Sequence, residues 1–265
     1  MLQVKNLYKV FNKNTVNENE IFNKFNLKVN KGDFITIIGS NGAGKSTLLN
    51  IISGTIPVDE GAIMLGENEI SKFAEHKCNK FIGRVFQDPS KGTSPSMTIL
   101  ENMSMAYNKG KKFGLGFGVN KKKISYFKEL LSKLELGLED KLNTQVGLLS
   151  GGQRQALTLI MTAMSNPELL LLDEHTAALD PKTSEKIIEL TKDIVDEKGI
   201  TTLMVTHNLN HAIKLGNRLI MLHHGEVILD ISGKEKESLT IEKLLKLFES
   251  NKKEDLISDR GLFAS

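Results

Sequence analysis

Short apolar runs recur along this chain, each closed by a polar or glycine-containing break. Val4, Leu7 and Val10, followed by the run Ile21 to Val29, predict strands of an opening sheet. Lys31-Gly32-Asp33 reads as a turn, and Phe34 to Ile38 as a short strand apolar on both faces. A glycine-rich stretch comes next, and Ser46 to Ser53 predicts a helix stopped by Gly54. Further along, Leu169 to Asp173 and Thr201 to Thr206 have the look of buried strands. Between them a helix is expected from Asp180 (N-cap) and Pro181 (first helical position) to Lys198, with Gly199 as its stop. Leu219 to Leu222 and Val227 to Leu229, joined around His224-Gly225, predict a hairpin. The stretch from Pro89 to about Asn166 changes period: Ile99 to Ala106 and Ile124 to Leu136 repeat like helices, with a basic, glycine-rich link from Lys109 to Lys123. The pattern therefore predicts an α/β core with a helical subdomain, about residues 89–166, inserted in it. From Glu235 the chain is charged, with a helical segment near Ile241 to Phe248 and a disordered last dozen residues expected.

Composition narrows this picture modestly. With 265 residues, 40% of them apolar, the chain can bury a substantial core. A net charge of +3 is too small to argue for a nucleic-acid partner. The single cysteine, Cys78, excludes an internal disulfide, suits a reducing cytosolic compartment and reads as an inert small residue. No window approaches the roughly 20 apolar residues needed to cross a bilayer, and the N-terminus lacks a signal peptide's apolar stretch. Any membrane role is expected from the surface, through a partner.

Three motifs carry chemistry. Gly39-Ser40-Asn41-Gly42-Ala43-Gly44-Lys45-Ser46-Thr47 satisfies G-x-x-x-x-G-K-[ST] between a strand and a helix. Glycines let the backbone curl until successive N–H groups converge on phosphate oxygens, and the helix N-terminus adds partial positive charge. Lys45 then reaches the β- and γ-phosphates, and Ser46 can ligate Mg²⁺. Leu169-Leu170-Leu171-Leu172-Asp173-Glu174 is either a buried strand with an incidental acidic end or the strand that carries Asp173 to Mg²⁺ and Glu174 to the attacking water as general base; the phosphate loop favours the second. Leu149-Ser150-Gly151-Gly152-Gln153 could by itself be a helix entry capped by Ser150.

In this order, with a histidine downstream, the motifs resemble the ATP-binding subunits of ABC transporters. The resemblance covers about residues 1–230 and implies a P-loop NTPase core with an N-terminal antiparallel β subdomain and an inserted helical subdomain; residues 231–265 form a charged extension beyond it. It implies ATP and Mg²⁺ as cofactors. Phe11 falls where the family places an aromatic that stacks on adenine, although a strand core residue is the other reading. Gln87, in Val85-Phe86-Gln87-Asp88-Pro89, resembles the glutamine that touches Mg²⁺ and the attacking water. His207 resembles the switch histidine at the γ-phosphate, and Ala178-Leu179-Asp180 the loop that crosses to a partner subunit. In the family two copies pair head to tail, so that Ser150, Gly151, Gly152 and Gln153 of one face the nucleotide held by the other. Two departures stand out. His175 follows Asp-Glu where proline is usual, and Ala156 and Met161 occupy places where arginines are common, leaving Arg154.

The resemblance further implies a subunit on the cytoplasmic face of the membrane, peripheral, bound to permease subunits and working with an extracellular solute-binding protein. Thr98-Ile99-Leu100-Glu101-Asn102 and the wording around Leu148 to Lys182 look like bacterial importers of amino acids, more narrowly the tryptophan/tyrosine type. An exporter subunit for drugs, lipids or lipoproteins is the alternative, distinguished by the absence of a neighbouring binding-protein gene. Soluble ATPases of this family usually carry two cassettes or a long coiled coil, which this chain lacks. Lys109, Lys111, Lys112, Lys121, Lys122 and Lys123 read as a solvated loop in preference to a contact with anionic lipid.

Overall fold

A computed structural model describes residues 1–110, 118–119 and 121–250. Most of the lysine-rich link and residues 251–265, the last dozen of which were expected to be disordered, lie outside the described residues. Contacts divide the chain into two compact units, one of Met1–Asn79 with the segment from Thr201 onward, the other of Lys80–Ile200.

The first unit begins with β1 (Leu2–Phe11), β2 (Asn19–Val29), β3 (Phe34–Gly39), α1 (Lys45–Ile52), β4 (Glu60–Leu65), β5 (Asn68–Glu69) and a single turn α2 (Glu75–Cys78). The second unit holds β6 (Ile82–Val85), α3 (Ile99–Tyr107), α4 (Ile124–Ser132), α5 (Gly151–Met164), β7 (Leu169–Asp173) and α6 (Pro181–Lys198). The first unit then resumes with β8 (Thr201–Val205), α7 (Leu209–Lys214), β9 (Arg218–His223), β10 (Glu226–Ser232), α8 (Gly233–Glu237) and α9 (Ile241–Ser250).

Two sheets organise the first unit. The expected antiparallel sheet runs β2-β1-β4-β5 and alternates buried with exposed side chains along β2. In the other, β3 lies between β8 and β9, parallel to both, and β10 pairs antiparallel with β9. All six residues of β3 are buried, as an apolar, β-branched run between two parallel neighbours requires. The β9–β10 turn uses His224 at φ 43° and Gly225 at φ 75°, the paired positive φ values of a tight hairpin turn. Leu48, Leu49, Ile51 and Ile52 give α1 its buried face, each side chain contributing about 1.5–3 kcal/mol of transfer free energy.

In the second unit β6 and β7 are parallel, and α5 is buried almost all round from Gln155 to Met161. Ala156 and Met161, which stand where arginine is common in the family, are therefore interior residues here. The predicted helix to Leu136 ends at Ser132 instead, because Glu135 at φ 52° and Gly137 at φ 66° turn the chain; Leu134 and Leu138 still reach the core through that turn. A capping box starts α3: Thr98 Oγ1 accepts from the Glu101 amide and the Glu101 carboxylate accepts from the Thr98 amide.

Residues 231–248 pack. Leu239, Leu244 and Phe248 join Ile38, Ala212, Leu219, Met221 and Ile231 in one apolar cluster of the first unit. Lys236, only 3% exposed, pins α8 by donating to the Ile213, Leu215 and Gly216 carbonyls at the C-terminal end of α7. Burial pushes its ammonium down from the ordinary 10.5 to about 8, even though three carbonyls favour the charge. Lys236 is charged in both folded and unfolded chains below pH 8. Between pH 8 and 10.5 the folded chain releases the proton first, so stability rises with pH across that window, by at most about 3 kcal/mol. Urea unfolding at a series of pH values is expected to show this rise in the wild-type chain and not in Lys236→Met; parallel curves for the two would refute it.

Candidate active site

The phosphate loop stands at the end of β3 because the backbone there must approach its neighbours more closely than any side chain allows. Gly39, at φ 151°, would place a Cβ 2.1 Å from the Leu222 carbonyl oxygen of β9. Gly44, at φ 95°, would place one 2.8 Å from the ring of Phe22, the fully buried residue of β2 that pairs with Lys9 of β1. Gly42, at φ 80°, faces open space. Gly44 is also the N-cap of α1, and no side chain caps that end, so the helix presents backbone N–H groups with the positive end of its dipole. Lys45 is buried, its Nζ donating to the Gly39 and Ser40 carbonyls at 2.8 Å each, so the cation lies against the loop itself. Asn41, Gly42 and Ser46 are exposed, and Ala43 and Thr47 are buried and half-buried.

The turn between β9 and β10 supports this loop from outside. Ser40 Oγ and His223 Nδ1 are 3.3 Å apart, the Gly225 amide donates to the Ala43 carbonyl, and the His223 and His224 rings meet at 4.2 Å. Nothing in the sequence pointed to His223. His207 follows β8, and the parallel pairing of β3 with β8 (Ile37 opposite Val205, with the Thr206 amide donating to the Ile37 carbonyl) brings it out at the same sheet edge as Gly39. It is exposed there.

Phe11 ends β1, half-buried, with the Lys9 ammonium 5.3 Å from its ring centroid. Lys9 is fixed in turn by Asp59 at 2.9 Å. Burial would raise the Asp59 carboxyl, but the Val10 amide and the Lys9 ammonium outweigh it and hold the carboxyl below its ordinary value.

In the second unit, β6 and β7 are parallel with Val85 opposite Leu172, so Gln87 and the pair Asp173-Glu174 leave the ends of neighbouring strands in the same direction. Gln87 is exposed and both carboxylates are half-buried. Asp173 Oδ2 accepts from Arg84 Nη2 at 3.1 Å. Glu174 sits at φ 46°, a left-handed conformation that an L-residue other than glycine rarely holds, and one that clusters at functional sites. The loop behind it is secured by His175, the residue in place of the family's proline. His175 is 1% exposed, and its Nε2 lies 3.0 Å from Thr191 Oγ1 of α6. Because that hydroxyl donates to the Ile187 carbonyl, His175 donates from Nε2.

Ser150 caps α5 in a reciprocal box with Gln153. Ser150 and Gly151 are exposed at the helix N-terminus, whereas Gly152 is buried and would set a Cβ 2.2 Å from Thr183 of α6. Gln153 Nε2 also reaches the Leu136 carbonyl at 3.4 Å. One turn further along α5, Gln155 is wholly buried and donates to the Phe86 carbonyl, just ahead of Gln87. Neither Arg84 nor Gln155 was singled out from sequence; a charged residue within the apolar run Ile82–Val85 was the available signal for the first.

The family model for "ABC transporter" matches residues 22–177. A "Tyrosine transport ATP-binding protein" of Clostridioides difficile (strain R20291) is 55% identical over 249 residues, 94% of this chain and 99% of that protein. The "Methionine import ATP-binding protein MetN" of Campylobacter jejuni is 33% identical, covering 86% of this chain and 69% of that one. Among solved structures, the ATP-binding cassette MJ0796, a dimer in a post-hydrolysis state bound to ADP and Pi, superposes with a TM-score of 0.74 at 32% identity, over 88% of this chain and 98% of that one. With its phosphate loop, its strand-end carboxylates and its capped Ser-Gly-Gly-Gln helix in place, this chain belongs to the ABC transporter family and is one of its ATP-binding, ATP-hydrolysing subunits.

Proposed function

We propose that this subunit energises the import of an amino acid, tyrosine or a close aromatic relative, through a membrane permease against which it sits on the cytoplasmic side. The observation that carries the solute class is the 55% identity with the tyrosine transport protein across nearly the full length of both chains. No described helix is long and apolar enough to cross a membrane, so the passage itself falls to partner subunits. A solute-binding protein outside the membrane completes the system.

In this reading the loop Gly39–Thr47 cradles the phosphates and Lys45 turns from its own loop carbonyls to the β- and γ-phosphate oxygens. Phe11 receives the adenine ring on its half-buried face. The Ser46 hydroxyl, the Asp173 carboxylate and the Gln87 amide oxygen are each an oxygen donor of the kind that suits Mg²⁺ and would serve to hold it. Bound Mg²⁺ would neutralise charge on the transferred phosphoryl group. Glu174 accepts the proton of the attacking water, and its left-handed backbone, backed by the His175–Thr191 contact, sets the direction of the carboxylate. His207 donates to the γ-phosphate.

Two copies pair head to tail, with the exposed Ser150 and Gly151 of each turned to the phosphates held by the other. Gly152 and Gln153 act from behind them. Gly152 permits the close approach of α5 to α6, and Gln153 holds Ser150 in the cap. ATP then joins the two faces and hydrolysis releases them, which is the motion handed to the permease.

Glu174→Gln is expected to lower turnover on the order of 10²–10⁴-fold while leaving ATP binding intact, so that size-exclusion chromatography with ATP shows a dimer. A variant that stays monomeric, or that turns over at the wild-type rate, contradicts the base assignment. Lys45→Ala is expected to weaken binding of a fluorescent ATP analogue by at least about tenfold, since it removes the one buried cation of the loop. For the solute, cells lacking this subunit should lose high-affinity uptake of labelled tyrosine; unchanged tyrosine uptake with loss of another solute would overturn that part of the reading.

A further inference from the structure

Arg84 is a charged residue on a strand whose other residues, Ile82, Gly83 and Val85, are buried. Its side chain is 7% exposed and that of its partner Asp173 13%. Arg84 pairs with Leu171 across the parallel β6–β7 ladder, so Asp173, two residues on, leaves β7 on the same face. The contact includes a charge-assisted hydrogen bond, Nη2 to Oδ2 at 3.1 Å. The guanidinium also lies over the Phe86 ring, with Cζ 4.5 Å from the centroid, and the Phe86 carbonyl accepts from the buried Gln155. Such a pair is poor as a source of stability. Desolvating both charges cancels much of their attraction, and an apolar pair of the same size would serve the fold as well or better. It does supply direction. A guanidinium held over an aromatic ring donates along fixed N–H directions and so orients the carboxylate bonded to it, which a freely rotating lysine ammonium does not.

We propose that Arg84 is a positioning residue for the catalytic metal ion. It holds Asp173 through Oδ2, and its place over the Phe86 ring ties that orientation to the start of the segment bearing Gln87. This inference rests on the reading of Asp173 as a metal-binding carboxylate. It adds a group that touches neither metal nor nucleotide. Asp173 then meets a divalent cation with its rotamer already selected, in the way outer partners orient metal ligands elsewhere.

The test is the affinity of the full-length subunit, saturated with ATP, for Mn²⁺, followed by the electron paramagnetic resonance signal of free ion, alongside ATP affinity in EDTA. Loss of an orienting partner typically weakens a metal site on the order of 10–100-fold. Arg84→Met is expected to weaken Mn²⁺ binding by about tenfold and to leave metal-free ATP affinity within about twofold of wild type. Arg84→Lys, which keeps the charge and loses the flat fork, should weaken it by about threefold, and carries the test by itself if Arg84→Met does not fold. Unchanged or tighter Mn²⁺ binding in the folded variants overturns the proposal, since the guanidinium would then be inert or a competitor of the metal. Asp173→Asn separates the two layers. If it binds Mn²⁺ as the wild type does, the metal-ligand reading itself fails; if it loses Mn²⁺ while both Arg84 variants keep it, only the positioning role fails.

Discussion

The approach of Gly39 to the Leu222 carbonyl is the contact on which the first unit's chemistry depends. A side chain at this position would overlap the neighbouring strand at 2.1 Å, so β3 lies flush with β9 and the chain curls into a loop only because glycine stands there. From that curl α1 starts with its N–H groups uncapped by any side chain, and the buried Lys45 folds back onto the loop's carbonyls. The same β9 leads to the turn whose His223 and Gly225 brace Ser40 and Ala43. An anion site is thus assembled from backbone dipoles and one cation, all held by strand pairing. Such an arrangement suits a polyphosphate, because backbone dipoles need little side-chain reorganisation to meet it.

The second unit solves a complementary problem, which is to hold acidic groups in place near the ends of parallel strands. Asp173 is balanced by Arg84, and Glu174 is turned into a left-handed conformation. His175 clamps the next residue to α6 through Thr191. Proline would restrict the backbone at that position through its ring. Histidine restrains it by a buried hydrogen bond, whose loss typically costs about 1–3 kcal/mol when a partner is left unsatisfied. The two residues thus hold the loop by different means.

Helix ends are the recurring device. Ser150 with Gln153, Thr98 with Glu101, Asp180 accepting from the Thr183 amide and Asn208 at α7 all satisfy amides at the helix start from within a few residues. The starts of α1, α2, α4 and α8 carry no side-chain cap, and of these α1 follows the glycine loop. There no side chain competes for the amides, which is what a phosphate-binding helix requires.

Much of this was legible in sequence, because its causes are local. The G-x-x-x-x-G-K-S run, the apolar strand ending in Asp173-Glu174, the Asp180-Pro181 start and the Gly199 stop of α6 each depend on residues a few positions apart. So do the alternation of β2 and the hairpin turn at His224-Gly225. The short strands β4 and β6 carried no comparable signal, since Glu60–Leu65 and Ile82–Val85 become strands by pairing with β1 and β7. Composition also made the segment after residue 230 look like a charged tail, whereas Leu239, Leu244, Phe248 and the buried Lys236 attach its described residues to the core. By itself, then, the sequence determined which residues could cradle phosphate, carry carboxylates and cap helices. Only the tertiary structure decided that Arg84 faces Asp173, that His223 meets Ser40 and that Gln155 reaches Phe86, because each joins residues 69 to 183 positions apart, and such partners are chosen by strand order and packing, not by any local pattern.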